Sequence, residues 1–116
     1  MAVAVPNDSF ELINGLSDDL QLSVREVGEL LDIHPRTLQR RQETGRLEEA
    51  ELLKAQMVEE AFDFATRALG DAEAARRWLF SELPALDFER PIDLLGSIKG
   101  YERVKALLGQ IVFGSY

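Results

Sequence analysis

The sequence predicts an all-α protein, and two observations lead to this fold class. Apolar residues recur at spacings of three and four along most of the 116 residues, while no stretch alternates apolar and polar residues for the length of a strand. The first pattern is the period of helices that bury one face. Serine, aspartate or proline also begins most of the periodic segments and glycine ends them, as expected of helix caps.

Two short helices are expected first. Residues 9–14 predict a helix that Gly15 ends in the left-handed conformation. Ser23 and Glu26 have the spacing of a capping box, in which each side chain accepts a hydrogen bond from the backbone of the other residue. A second helix is therefore predicted from residue 24 to Leu31.

A third helix follows so closely that the pair predicts a helix-turn-helix module. Asp32 stands where a left-handed residue is needed, and His34 is interpreted as the N-cap or a turn residue. Pro35 begins the helix and Gly45 ends it. Gly28 is small enough for the next helix to cross it closely. The buried positions of the module are apolar: Val27, Leu31, Ile33 and Leu38.

The longest periodic segment covers residues 47–69 and ends at Gly70. The adjacent glutamate pairs at 48–49 and 59–60 are interpreted as solvated charge, because neighbouring residues do not share a helix face as catalytic carboxylates would. The predicted buried stripe consists of small and large apolar side chains: Ala50, Leu53, Met57, Ala61, Phe64, Ala65 and Ala68.

Three further elements complete the chain. Asp71 caps a helix whose Trp78 is expected to be buried against the long helix. After a proline-containing loop, residues 92–95 predict one helical turn. Ser97 then caps a last helix that Gly114 ends. One face of this helix is predicted to be apolar: Ile98, Tyr101, Val104, Leu108, Ile111 and Val112.

Two glycines lie inside the last helix, at positions 100 and 109. Each costs about 1 kcal/mol of helix stability relative to alanine. Something should compensate for that cost, so we expect the backbone of another helix, or of a partner protein, to approach closely there.

The composition argues against catalysis. The chain has no cysteine and one histidine, so neither a zinc cluster nor thiol chemistry is expected, and there is no glycine-rich phosphate loop or nucleophile–base pair. We therefore predict no enzyme activity, no cofactor and no metal. The start lacks the basic region and long apolar run of a signal peptide, and no segment could span a bilayer, so a cytoplasmic protein is expected.

The net charge of −8 is unevenly distributed. Residues 34–47 contain four arginines and one glutamate, a charge of +3, which leaves −11 for the remainder. A basic helix on an acidic body is typical of DNA docking. Base edges would be read by Arg36, Thr37 and Gln39, and phosphates by Arg40 and Arg41. Two copies would be needed for affinity and half-site spacing, which predicts a homodimer.

An alternative interpretation needs no DNA. These arginines could lie on a solvated helix face, some of them paired with Glu26, Glu29 or Asp32, and the module could be purely structural. We place the boundary between the two predicted domains after residue 47, which divides the chain into 1–47 and 48–116.

Three stretches resemble a known family. The first is Arg-Thr-Leu-Gln-Arg-Arg at 36–41, and the second runs over 65–79 through Gly-Asp, Ala-Ala and Trp-Leu. The third is Arg-Pro-Ile-Asp-Leu-Leu at 90–95, followed by the spaced Gly100, Val104, Leu107 or Leu108, Ile111 and Gly114. In their order and spacing they are similar to antitoxins of the Xre/MbcA/ParS type, from bacterial type II toxin–antitoxin pairs.

The resemblance implies a partner. Such antitoxins usually pair with a RES-domain toxin, which consumes NAD or transfers ADP-ribose, and they cover its active site with a helical C-terminal toxin-binding domain. The helix-turn-helix often represses the shared operon, so operator DNA is a second expected partner. Toxin contacts are expected in and after the last helix: Lys99, Gly100, Arg103, Gly114, Ser115 and Tyr116. Our own hypothesis, separate from the resemblance, is that the two final residues form a plug; the alternative is a frayed end that touches nothing.

Two other classes stay open. The chain could be a stand-alone dimeric repressor whose second half senses a ligand or dimerises. It could also be an interaction module whose helix-turn-helix never touches DNA. A RES-domain reading frame beside the gene would favour the antitoxin over the repressor.

Overall fold

A computed structural model describes residues 7–114 of the chain. Within them it contains seven α-helices and one short 3-10 turn, Pro84–Leu86, and no β-strand beyond an isolated bridge between Leu83 and Glu89. The predicted all-α class is therefore confirmed. The helices are α1 Glu11–Leu20, α2 Val24–Leu30, α3 Pro35–Thr44, α4 Glu49–Leu69, α5 Ala72–Leu79, α6 Pro91–Leu94 and α7 Ile98–Phe113.

The backbone contacts divide the chain into two compact units, Met1–Gln56 and Met57–Tyr116. The division falls inside α4, later than the predicted boundary after residue 47. The shift has a physical cause, because Glu51 in the first turns of α4 is hydrogen-bonded to Arg41 in α3. The start of α4 therefore belongs with the helix-turn-helix.

In the first unit, α2 packs against both α1 and α3. Two contacts connect the two ends of this unit, since Ser9 Oγ accepts the Leu47 N–H at 2.7 Å and the Phe10 N–H donates to the Gly45 carbonyl at 3.0 Å. The core of this unit consists of apolar side chains from all four helices and the turns between them: Phe10, Ile13, Leu16, Leu20, Val27, Leu31, Ile33, Leu38, Leu47 and Ala55.

The end predicted for the first helix is wrong. Helix α1 passes through Gly15 and ends at Leu20, and its C-cap Gln21 takes the left-handed conformation with φ of 56°. Gly15 lies on the exposed side, whereas Ile13, Leu16 and Leu20 continue the buried spacing. The core-facing side chains thus hold the helix beyond a residue that weakens it.

The helix-turn-helix forms as its local signals predict. Ser23 Oγ accepts the Glu26 N–H at 3.1 Å, and Glu26 Oε1 accepts the Ser23 N–H at 2.9 Å. Asp32 supplies the left-handed turn, with φ of 59°. A Cβ at Gly28 would lie 2.8 Å from Leu38 Cδ2, so a larger residue at the crossing of α2 and α3 would require the Leu38 side chain to shift.

The buried face of α4 differs from the predicted stripe. Ala50 and Leu53 are exposed, and Phe64 is half-buried. Three of the predicted positions are buried, and three other apolar residues join them. The buried side chains of α4 are Ala55, Met57, Val58, Ala61, Phe62 and Ala65.

In the second unit, α6 packs against both α5 and α7. The predicted burial of Trp78 is wrong, because it is only half-buried while Ala75 and Leu79 form the core face of α5. The caps of these helices are confirmed: Asp71 Oδ1 accepts the Ala74 N–H at 2.8 Å, and Ser97 Oγ accepts an N–H in the first turn of α7.

Helix α7 buries only the middle of its predicted apolar face. Tyr101, Val104 and Leu108 are in the core, whereas Ile98, Ile111 and Val112 are exposed. The two ends of the helix therefore present apolar side chains to solvent. Among the helices of residues 7–114, none combines the length and the hydropathy that a membrane-spanning segment requires.

Candidate nucleic-acid and protein interfaces

The first turns of α3 form an exposed polar surface. His34 Nδ1 accepts the Arg36 N–H at 3.2 Å, which confirms His34 as the N-cap. Arg36, Gln39 and Arg40 are exposed, and Thr37 is half-buried. Within residues 7–114, no carboxylate lies within ion-pair distance of Arg36 or Arg40. Arg40 Nη2 lies 3.5 Å from Thr37 Oγ1, and the Arg40 charge contributes to the lowered pKa of Glu51.

Arg41 has an intramolecular role that the sequence did not predict. Its Nε lies 2.8 Å from Glu51 Oε1 and its Nη2 lies 3.1 Å from Glu48 Oε1, and its side chain is only 18% exposed. Burial alone would raise the pKa of Glu51, but hydrogen bonds from Arg41 and from the Glu48 N–H hold that pKa below its ordinary value. Where the sequence predicted a phosphate contact for Arg41, two carboxylates already neutralise its charge.

The residues predicted to contact a toxin occupy different environments. Lys99 and Arg103 are exposed one turn apart on α7, and Arg103 Nη2 lies 3.4 Å from Asp87 Oδ2. Gly100 is buried, and a Cβ there would lie 1.9 Å from the Leu94 carbonyl oxygen. Gly114 is half-buried and ends the helix with φ of 74°. Ser115 and Tyr116 lie outside the described residues.

A mixed aromatic and charged cleft lies between α4 and α7 of the second unit. The Tyr101 hydroxyl donates a hydrogen bond to the Glu60 carboxylate, and Lys105 Nζ is 4.8 Å from the centre of the Tyr101 ring. Burial and the neighbouring Glu60 raise the pKa of Tyr101 to about 12. The interpretation of Glu60 as solvated charge missed this contact, because its partner is distant in sequence. The cleft is lined by Glu60, Asp63, Phe64, Arg67, Tyr101 and Lys105.

A second feature absent from the sequence prediction is the loop between α5 and α6. It presents Phe88 to solvent with 66% of the residue exposed. Asp87 and Phe88 are both left-handed, with φ of 57° and 65°. Consecutive left-handed residues are rare without glycine, and the sequence around them contains no signal that predicts them.

Comparisons with known families match both halves of the chain. Residues 9–58 match the antitoxin Xre-like helix-turn-helix domain, and residues 64–114 match the antitoxin Xre/MbcA/ParS C-terminal toxin-binding domain. The chain belongs to the Xre/MbcA/ParS antitoxin family. The first match contains the exposed arginines of α3, and the second contains Lys99, Arg103 and the Phe88 loop.

The fold of this antitoxin also resembles a solved structure. A chain in the crystal structure of the MbcT–MbcA toxin–antitoxin complex from M. tuberculosis superposes with a TM-score of 0.62 at 23% identity. The similarity covers 91% of this chain and 95% of that one. No curated protein matches the chain.

Proposed function

We propose that this antitoxin neutralises a RES-domain toxin that consumes NAD or transfers ADP-ribose, acting in the cytoplasm by covering the active site of the toxin. The proposal depends on the match of residues 64–114 to a toxin-binding domain. The charge of the chain supports it. A toxin that binds a dinucleotide needs basic residues at its cleft, and a protein of net charge −8 would be steered there.

We assign the toxin contacts to α7 and the residues after it. Lys99 and Arg103 are exposed there, and Gly114 leads into Ser115 and Tyr116, which would act as a plug at the toxin cleft. Gly100 would have a structural role. Because it is buried against α6, it would position α7 and leave direct contact to its neighbours.

Co-expression with the RES-domain protein from the adjacent reading frame tests the proposal. We expect the chain to restore growth and cellular NAD, and a variant lacking Ser115 and Tyr116 to restore less of both. Full toxicity in the presence of the wild-type chain would contradict the proposal. Unchanged neutralisation by the truncated variant would overturn the plug alone.

We also propose that a homodimer of this chain represses its own operon through α3. The exposed Arg36 and Arg40, with Thr37 and Gln39 beside them, support this role. Arg36 would read a base edge, and Arg40 would contact a phosphate, so loss of Arg40 should also reduce the salt dependence of binding. Replacing Arg36 and Arg40 by alanine should weaken promoter binding at least about tenfold in a mobility-shift titration.

The matched control for this experiment is Arg25→Ala, because Arg25 is an exposed arginine on α2 whose partner is Glu29. It should leave promoter binding unchanged. Equal binding by all variants would remove the DNA role. A chain that binds DNA but has no RES-domain neighbour would instead be a stand-alone repressor, the second function that the exposed arginines support.

A further inference from the structure

The loop between α5 and α6 is held in one conformation by its own backbone. Five hydrogen bonds close it between Leu83 and Glu89, including Phe88 N–H to the Leu83 carbonyl at 2.9 Å and Leu83 N–H to the Glu89 carbonyl at 3.2 Å. Leu86, at 2% exposure, anchors the loop in the core. Asp87 is tied to α7 through Arg103. The loop is therefore preorganised.

Phe88 has a backbone conformation and a degree of exposure that are both unfavourable for the stability of the fold. Phe88 takes a left-handed backbone, which bulky residues rarely adopt, and its ring points into solvent instead of the core. Glycine or asparagine at this position would form the same turn with less strain. A strained residue that also exposes an aromatic ring is typical of a binding site.

Charge restricts what could cover this ring. Glu82, Asp87 and Glu89 are exposed on the loop that carries Phe88. Two arginines lie beside them, since Arg103 pairs with Asp87 and Arg90 interacts with Glu82 and Asp93. With four carboxylates to two guanidinium groups, the surroundings of the loop are acidic overall. A second copy of the chain would bring the same carboxylates, and DNA or an anionic membrane would be repelled. A protein whose apolar pocket is surrounded by lysine and arginine fits the loop.

We propose that Phe88 is the anchor of the toxin interface: its ring enters an apolar pocket with a basic rim on the toxin, and Glu82 and Glu89 face that rim. The inference rests on the proposed function. Phe88 needs no ordering on binding because the loop is already closed, so the contact should carry an unusually large share of the affinity. Arg103, which is also assigned to the toxin contacts of α7, lies 3.4 Å from Asp87 and links the loop to that helix.

The test compares two glycine substitutions at left-handed positions. Phe88→Gly removes the ring and relieves the backbone, so the variant should unfold at the same temperature as the wild type or higher. Its dissociation constant for the RES-domain protein encoded beside the gene should rise about 30-fold, mainly through faster dissociation. Gln21→Gly is the matched control, because Gln21 is also exposed, with φ of 56°. It should bind like the wild type.

Phe88→Asn distinguishes the effect of losing the aromatic ring from the effect of making the loop more flexible. Asparagine tolerates the left-handed conformation without the freedom of glycine, so this variant should lose affinity to the same extent. If both variants bind within about threefold of the wild type, the anchor is wrong while the proposed function stands. If the wild-type chain itself fails to bind the RES-domain protein, both are wrong.

Discussion

Gly100 shows how a single missing methyl group permits the packing of α6 on α7. A Cβ at this position would lie 1.9 Å from the Leu94 carbonyl oxygen, a backbone atom that cannot move aside. A Cβ added at Gly109, in the same helix, would meet no neighbouring atom within 4 Å. Of the two glycines, only Gly100 is explained by a close approach of the described chain.

These two glycines give opposite predictions. Gly100→Ala should lower the free energy of unfolding by about 3 kcal/mol, because α6 must shift. Gly109→Ala should raise it by up to about 1 kcal/mol through helix propensity alone. Urea denaturation of both variants measures the difference. Equal effects of the two substitutions would contradict the packing described here.

Tyr101 predicts a loss of stability at high pH. The pKa of Tyr101 is raised to about 12 by burial and by Glu60, so the folded state binds this proton more tightly than the unfolded state does. Its contribution is complete below the unfolded pKa of about 10 and is lost as the pH rises through 12.

Tyr101→Phe isolates this contribution. The variant should be about 1 kcal/mol less stable than the wild type at neutral pH, because the hydrogen bond to Glu60 is absent. This difference in the free energy of unfolding should shrink as the pH rises above about 10 and should disappear before about pH 12, when unfolding is followed in urea. A gap that stays constant over this range would show that Tyr101 keeps an ordinary pKa.

The sequence predicts the role of a residue when its hydrogen-bond partner lies a few positions away in the chain. Ser23, His34 and Asp71 cap helices whose N–H groups lie two or three positions away, so spacing alone identifies them. Arg41 and Tyr101 have partners on other helices. Their contacts depend on how the helices pack, which no local pattern records.

At the scale of elements, the pair Arg41–Glu51 fastens the start of α4 to α3. The two side chains are 18% and 16% exposed, and two hydrogen bonds join them. Because a partly buried charge left without its partner is costly, each single alanine variant should destabilise the first unit. A double-mutant cycle should give a coupling energy of about 1–2 kcal/mol.

The control for this cycle is the exposed pair Arg77–Glu73, whose side chains are 70% and 75% exposed on α5. Its coupling energy should be only about 0.3–0.5 kcal/mol. Thermal or urea unfolding measures both cycles. Equal coupling in the two pairs would mean that Arg41 contributes no more than a solvated surface arginine.

The elements were predictable in type but less so in extent. Caps and glycines place the starts of α2, α3, α5 and α7. The spacing of apolar residues gave the wrong end for α1 and the wrong buried face for α4, and both errors have the same cause. Burial depends on what packs against a face, so Gly15 lies within α1, and Leu53 on the early part of α4 is 48% exposed.

At the scale of the whole molecule, the net charge of −8 should control how fast the toxin binds. Added salt screens the attraction between the acidic chain and a basic cleft. The association rate constant should fall about tenfold between about 0.05 and 0.5 M salt, while the dissociation rate changes little. Stopped-flow mixing measures both.

Neutralising two exposed acids tests the origin of this effect. The double variant Glu82→Gln, Glu89→Gln should show a weaker salt dependence of association than the wild type. An association rate that does not depend on salt in either protein would mean that the acidic surface does not steer binding.

The use of Arg41 inside the first unit has a consequence for gene dosage. Under the proposed DNA role, α3 would present fewer cations per copy because Arg41 is used within the fold, and each copy would bind DNA weakly. If two copies must bind together, halving the antitoxin concentration lowers promoter occupancy about fourfold at low occupancy, by mass action. Under the proposed function, promoter occupancy would therefore respond steeply to the concentration of antitoxin that is not bound to toxin.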